Sequence, residues 1–377
     1  MSEVKDEPLT VGVEEEFFVV DSRGQLSRHA AKLIDAADQQ DGELQTELTR
    51  SQAELATGIC HTHDELLGQL RDLRTELAVA GAHRGLRLVP SGAALLAEDG
   101  PPGITPSPRY QRMAEHFGAT VHQVTTCGCH VHVVMPDKAT GVQVINHVRP
   151  WLPVLLALTA NSPIEGGIDT GYCSWRYRQW TQWPSAGPPP RFSSLDHYES
   201  IVDAWLRSGA IMDRAMIYWD IRLSEHQPTL EFRISDVAAT PEEAVLLAVL
   251  IRGLTHAALN AIDDGDRAPE LSNEVLRAYL WRAARDGFTG RCPHPQTNEL
   301  LPTQRVLSDL LTFLAPILRH SGDLEFAEEG VARLRASDGG ADRQRKVFAK
   351  TRRAEDVVDM LAAVPTSTEA RLSTLER

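Results

Sequence analysis

The segment LTVGVEEEFFVV, residues 9 to 20, is rich in β-branched and aromatic residues and is bounded by Pro8 and by the turn residues Asp21 to Gly24, which predicts a strand. Thr62 to Glu65 has the form of a capping box. Leu66, Leu70, Leu73 and Leu77 then recur at helical spacing until Gly81 closes the segment. A second box lies at Thr240 to Glu243, with Pro241 suited to the first helical position, and the helix it opens is apolar nearly all round, so it is expected to be buried. Further helical patterns cover about 196 to 208, 273 to 286, 303 to 319 and 354 to 363. Strand-like runs appear near 52 to 58, 86 to 91, 121 to 134, 215 to 223 and 229 to 236. These lie between helices without strict alternation, which points to an α+β sheet with helices packed on one face rather than to a doubly wound parallel sheet. The proline-rich stretches 99 to 108 and 184 to 190 read as surface loops.

The chain of 377 residues holds 38 Lys and Arg against 52 Asp and Glu, a formal charge of −14, which argues against a nucleic-acid-binding surface. The longest apolar runs, 150 to 160 and 244 to 251, fall short of the roughly 20 residues that cross a bilayer, so no membrane partner is expected. The first ten residues are polar and acidic, unlike a secretory signal. Five cysteines at 60, 127, 129, 173 and 292 lack a disulfide-framework spacing, and together these features point to the cytoplasm.

Side chains two apart on a strand share a face, so Glu14 and Glu16 project together while Val13, Glu15 and Phe17 turn the other way. At about 4 Å and an effective dielectric near 20, two like charges repel by roughly 4 kcal/mol, which a divalent cation or a cationic partner would relieve. A solvated edge strand is the competing reading. The same rule pairs His130 with His132, a set suited to metal ligation or phosphate contact, or to plain hydrogen bonding within a sheet. A Cys/His zinc site has no second C-x-x-C pair to complete it. TLEFRISD projects Glu231, Arg233 and Ser235 on one side, and YWDIRLSE places Asp220 beside Arg222. Either strand alone is compatible with a salt-bridge network on a wet face. Together the four pairs suggest one polar sheet face with the makings of a Mg2+-dependent phosphoryl-transfer site. Neither G-x-x-x-x-G-K-[ST] nor a G-x-G-x-x-G after a strand is present, and G-x-S-x-G is missing too, so the familiar phosphate loops and the serine-hydrolase elbow are excluded.

Taken in order, GVEEEF (12 to 17), ELATG (54 to 58), GCHVHV (128 to 133), ANSP (160 to 163), DTGYCSWR (169 to 176) and TLEFRISD (229 to 236) resemble the carboxylate–amine ligase family, the type 2 glutamate–cysteine ligase-like group. The resemblance runs from about residue 9 to 350. It implies a single catalytic domain over 1 to 377 with a helical, charged tail from 351, built on a curved, mainly antiparallel sheet like that of glutamine synthetase with helices on its convex face. It further implies ATP-dependent joining of a glutamate-like side-chain carboxylate to an amine or amino acid by way of an acyl phosphate, with two or more Mg2+ ions for which Mn2+ can substitute. Small molecules would be the partners, and a homo-oligomer is compatible with the family.

By motif position the resemblance implies Glu14, Glu16, Glu54, His130 and Glu231 as metal ligands, with Glu47 joining them only if a bend or bulge intervenes, because seven residues separate it from Glu54. Arg176 and Arg233 would grip the phosphoryl group or the donor carboxylate and act in catalysis together with Glu231, and His132 would contact the nucleotide. A surface position near Trp175 and Trp180 is the alternative for Arg176. Glu231→Gln is expected to abolish turnover with little loss of folding, because it relieves repulsion. Arg84 stands where the family often has proline, which suggests an altered lip to the site. Tyr172, Trp175, Tyr177, Trp180 and Trp183 suggest either an acceptor pocket or an apolar flap. A metal-dependent amidohydrolase using His130 and His132, and an inactive ligand-binding relative, are the competing functions.

Overall fold

The computed structural model describes residues 8–35, 37, 43–97, 100–123 and 125–362; the first seven residues and the tail beyond 362 lie outside them. In chain order the elements are β1 (Val11–Val20), α1 (Ala30–Ile34), β2 (Glu43–Thr46), β3 (Gln52–Ala56), α2 (His63–Ala82), β4 (Arg87–Val89), α3 (Pro108–Phe117), α4 (Ala119–Gln123) and β5 (Gly128–Val134). There follow α5 (Lys138–Val148), α6 (Leu152–Thr159), β6 (Ile164–Glu165), β7 (Ile168–Asp169), α7 (Trp175–Trp180), α8 (Leu195–Ser208), β8 (Ile221–Leu223), β9 (Thr229–Asp236) and α9 (Pro241–Asp263). The last third contains α10 (Asn273–Asp286), β10 (Arg291–Pro293), β11 (Leu300–Pro302), α11 (Thr303–His320), α12 (Leu324–Ser337), α13 (Gly340–Thr351) and α14 (Ala354–Leu361).

One sheet organises the molecule. Its strand order is β2-β3-β1-β5-β9-β8, with β4 also paired to β1, and every pairing is antiparallel. Both predicted caps start their helices: Thr62 accepts from the Glu65 backbone N–H in a complete capping box, and Thr240 accepts from that of Glu243, whose own side chain pairs with Arg343. Helix α9 is long and apolar enough to cross a bilayer, yet its residues from Ala244 to Thr255 are buried against α2, α5, α11 and the sheet, so it serves as the core helix. It covers the sheet face that carries Val13, Phe17, Val131 and Phe232, all of them buried.

Several expectations change. The run 121 to 134 divides into the end of α4 and β5, and only Ile221–Leu223 of the run 215 to 223 is strand. The stretch 184 to 190 is no surface loop: Ser185 and Gly187 to Pro189 are buried, and Pro189 offers its carbonyl to the buried Arg149. Serine 235 departs from its predicted side as well. Pairing of β5 with β9 shifts between Cys129 and Val131, so that Arg233 and Ile234 together oppose His130, and beyond this bulge Ser235 pairs with Cys129. The extra residue turns Ser235 to the helix-covered face and brings Asp236 round to the polar one. There Asp236 accepts hydrogen bonds from Ser162 Oγ at 2.6 Å and Ser174 Oγ at 2.7 Å.

Candidate active site

The sheet face away from α9 gathers the polar residues of four strands. Register sets Glu14 opposite His130, Glu16 opposite Glu54, and His132 opposite Glu231. Glu47 follows the last residue of β2 and reaches the same place, because β2 and β3 form an antiparallel pair in which Gln45 opposes Glu54. Residues facing each other across such a pair share a side whatever their separation in sequence, so the odd spacing is no obstacle.

Two clusters result. In one, ligand atoms of Glu14, His130 and Glu231 all lie within 4.8 Å of one another; in the other, those of Glu16, Glu47 and Glu54 do. Imidazoles brace the first: His130 Nδ1 lies 3.2 Å from Glu14 Oε2, and His132 Nε2 lies 3.2 Å from Glu14 Oε1. Burial by itself would raise the Glu14 carboxyl, but hydrogen bonds from His130 and His132 hold it below the usual range. Burial together with the nearby Arg233 charge keeps His130 neutral by lowering it, whereas Glu14 outweighs burial at His132 and raises it. Glu231 is gripped by Arg222 at 2.6 and 3.0 Å and by a close ion pair with Arg233, which overcome burial and hold it well below the ordinary value.

The second cluster has no such compensation. Burial raises Glu16, despite a 2.6 Å hydrogen bond from the Gly128 backbone N–H, and burial with the Glu47 charge pushes Glu54 well up. Five carboxylates, Glu14, Glu16, Glu47, Glu54 and Glu231, stand against three arginines, Arg176, Arg222 and Arg233, a deficit of two positive charges when all are ionised. Oxygen-rich donors, a single histidine in the first set and none in the second, and an unbalanced negative charge suit hard divalent cations such as Mg2+ or Mn2+. None of the five cysteines contributes to either cluster, so the Cys/His zinc reading finds no support among the described residues.

Over these residues lies a cavity of about 240 Å3, smaller than the roughly 300–1,000 Å3 of whole-ligand sites and suited to the reacting groups alone. Glu14, Glu16, Glu47, Glu54, His130 and Arg233 form its floor, and Arg109, Tyr110 and Met113 of α3 close it together with Trp180, Trp183 and Tyr218. The Arg233 guanidinium lies 5.6 Å from the Trp180 ring and 5.7 Å from that of Tyr218, which fixes its plane. Arg176 is 1% exposed, so the surface alternative is excluded. It sits behind the cavity wall, donating to the Arg233 and Ile234 carbonyls at 3.2 and 3.5 Å and packing against Gly128. His132 and Glu231 likewise lie beneath the floor.

Asp220 and Arg222 take different partners: Tyr177 donates its hydroxyl hydrogen to Asp220 at 3.1 Å, while Arg222 serves Glu231. The aromatic segment divides too, with Trp180 and Trp183 on the cavity and Trp175 donating to Glu165. Arg84 closes the far end of α2 by donating to the Ala80 carbonyl, and it takes no part in the lip of this cavity. Two contributors escaped the sequence reading. Glu15 is fully buried in a two-bonded pair with Arg74 of α2, and Arg109 pairs with Asp213 at 2.9 and 3.1 Å on the cavity roof. Ser107 followed by Pro108, a cap and a first-turn proline, was the available signal for α3.

The model of glutamate–cysteine ligase family 2 matches residues 10–363. A Rhodococcus jostii protein carrying the provisional name glutamate–cysteine ligase 2-1 is 52% identical over 353 residues, covering 94% of this chain and 95% of that protein. A Nocardia farcinica protein with the same provisional name is 45% identical over 341 residues, 90% of this chain and 88% of its own. Among solved structures, glutamate–cysteine ligase from Francisella tularensis in complex with AMP superimposes with a TM-score of 0.68 at 12% identity, covering 98% of this chain and 92% of that one. The bifunctional glutathione synthetase of Pasteurella multocida gives 0.69 at 15% identity over 97% of this chain and 53% of its own. These likenesses show a shared fold, the ligase fold that the motifs implied.

Proposed function

The chain belongs to glutamate–cysteine ligase family 2 and is an ATP-dependent carbon–nitrogen ligase, and we propose that it joins the side-chain carboxylate of glutamate or a close relative to a small amine or amino acid through an acyl phosphate. The observation that carries this reading is the pair of carboxylate clusters gathered beside Arg233 at the floor of one cavity. Glu14, His130 and Glu231 on one side, and Glu16, Glu47 and Glu54 on the other, would hold divalent ions, Mg2+ or Mn2+. Such ions, when bound, neutralise the charge of the phosphates.

The donor carboxylate oxygen attacks the γ-phosphorus of ATP and ADP leaves; the amine nitrogen then attacks the acyl carbon, phosphate leaves and the amine gives up a proton. Arg233, held flat by Trp180 and Tyr218, offers a planar donor fork to a phosphoryl oxygen or to the donor carboxylate. Arg176 acts from behind, holding the carbonyls of β9 that set the position of Arg233. His132 fixes Glu14 against Thr229, to whose hydroxyl its Nδ1 lies at 3.0 Å. The roof of α3 and the Trp180, Trp183 and Tyr218 rings excludes water, which would otherwise hydrolyse the acyl phosphate before the amine arrives.

The test is ADP release from ATP and Mg2+ with glutamate against a panel of amino acids and small amines, with mass spectrometry of the products. Acceptor-dependent release with a new amide supports the reading and identifies the acceptor. A chain that binds no ATP in the presence of Mg2+ would sink it.

A further inference from the structure

The segment ANSP, 160 to 163, supplies nothing to either carboxylate cluster, yet it meets DTGYCSWR and the end of TLEFRISD at one buried carboxylate. Asp236 has no exposed surface and accepts three hydrogen bonds: from the Asn161 backbone N–H at 2.8 Å, from Ser162 Oγ at 2.6 Å and from Ser174 Oγ at 2.7 Å. Each hydroxyl that donates to it accepts in turn from the start of α7. Ser162 Oγ takes the backbone N–H of Arg176 at 3.0 Å, and Ser174 Oγ, the cap of that helix, takes that of Tyr177 at 3.2 Å. Buried bonds linked in this way support one another, and losing one acceptor leaves the donors behind it unsatisfied. From the other side α13 closes over the same point, where the buried Gln344 donates to the Asn161 carbonyl and to its side-chain oxygen at 2.8 Å each.

Helix α7 has only six residues, and three of its side chains converge on Arg233. Arg176 holds the carbonyls of Arg233 and Ile234, the two residues of the β9 bulge. Tyr177 donates to the carboxylate of Asp220, whose backbone carbonyl accepts from the Arg233 N–H at 2.8 Å. The Trp180 ring stands 5.6 Å from the guanidinium carbon of Arg176 and 5.6 Å from that of Arg233. The helix that sets Arg233 is thus tied at its own start to Asp236, three residues further along the same strand. Without the extra residue of the bulge, Asp236 would turn toward α9 and the tie could not form.

We propose that Asp236 is a positioning residue for group transfer: through Ser162 and Ser174 it fixes the start of α7, and through α7 it fixes the place and plane of Arg233. None of its hydrogen-bond partners lines the cavity, so it acts without touching a reactant. Asparagine in its place keeps the size but turns one acceptor oxygen into a donor, which faces a group that itself donates. The backbone held behind that group is then released. The effect on turnover rests on the role of Arg233 given above, whereas the tie between Asp236 and α7 does not.

The test compares Asp236→Asn, Arg176→Lys and the double variant with the full wild-type chain, and Ser162→Ala, a milder cut at the same link, is run beside them in case Asp236→Asn does not fold. Asp236→Asn should lower kcat for ADP release at least about tenfold while KM for ATP stays within about twofold. Arg176→Lys should lower kcat as well, and the double variant should fall no further than the worse single one, because both changes act through the same guanidinium. An unchanged kcat, a loss confined to KM, or losses that multiply in the double variant overturn the proposal. Amide hydrogen exchange reads the tie directly: the Arg176 and Tyr177 amides should exchange faster in Asp236→Asn and in Ser162→Ala, with β1 unchanged. Unchanged exchange at α7 overturns that tie. A wild-type chain that forms no amide with ATP refutes the function proposed above, and the exchange measurement still decides whether Asp236 fixes α7.

Discussion

Replacing Glu54 with glutamine should make the protein more stable in the absence of metal. Glu54 faces Glu16 across the β1–β3 pairing, and its ligand atom lies within 4.8 Å of those of Glu16 and Glu47. At that separation and an effective dielectric near 20, each ionised pair repels by about 3 kcal/mol. The carboxyl escapes part of this by keeping its proton, since burial and Glu47 raise it well above the ordinary value. Escape has its own cost. Once pH passes the unfolded value of about 4.3, each further unit costs roughly 1.4 kcal/mol until the folded value is reached, so metal-free stability falls as pH rises through that window. Glutamine keeps the shape and removes the charge, with a gain at pH 8 of about 3 kcal/mol for one repelling partner that stays ionised. For 377 residues the unfolding entropy is about 0.8 kcal/mol per kelvin, so the gain reads as a rise of roughly 4 °C in Tm. Thermal unfolding by circular dichroism at pH 8 and pH 5, with and without Mn2+, is the assay. The metal-free variant should melt higher than wild type at pH 8, the difference should shrink at pH 5, and the rise that Mn2+ produces should be much smaller in the variant. A metal-free variant less stable than wild type at pH 8, or an undiminished rise with Mn2+, would refute the reasoning.

Glu231→Gln should behave in the opposite way: it strips Arg222 and the buried Arg233 of their shared partner and should cost about 3 kcal/mol of stability as well as turnover, read by the same melts, so the expectation of intact folding from sequence is revised. Asp220 is raised to about 7 by burial, against the hydrogen bond from Tyr177, so it withdraws stability as pH climbs from about 4 to 7; Asp220→Asn should flatten that part of the stability profile by up to roughly 4 kcal/mol, measured by urea unfolding across pH. Arg74→Ala leaves Glu15 buried without its partner and should cost about 3 to 5 kcal/mol in the same experiment. Gly128→Ala would set a Cβ 2.3 Å from Arg176 Nη2, and because Arg176 is enclosed, kcat should fall at least about tenfold while circular dichroism shows the fold retained.

Period-two alternation made most of the site legible in sequence. It placed Glu14 with Glu16, His130 with His132 and Glu231 with Arg233 because the extra residue of the β9 bulge shifts the faces only after Arg233. It failed at Ser235, where one extra residue in β9 reverses the faces and no local signal marks the bulge. Glu47 was obscure for a different reason: it depends on which strands are neighbours, a tertiary fact that counting along one strand cannot supply. The cavity roof stayed hidden because α3 begins at a proline, at the end of a stretch whose other prolines do break structure. Glu15 was assigned its side correctly, but its arginine lies 59 residues away on a helix.

That arginine also bears on how the chain finds its fold. A strand that slips by one residue against its neighbours exchanges its two faces. In β1 such a slip would turn Glu14 and Glu16 toward α2, where Arg74 has a place for one carboxylate, and would offer the metal face only Glu15. The slipped alignment therefore leaves a carboxylate on the helix face with no arginine, while the correct one sets a single carboxylate there, Glu15, and pairs it with Arg74. Three glutamates in a row, an unpromising way to build a strand, thus act as a registration mark that tells β1 which alignment to reject during folding.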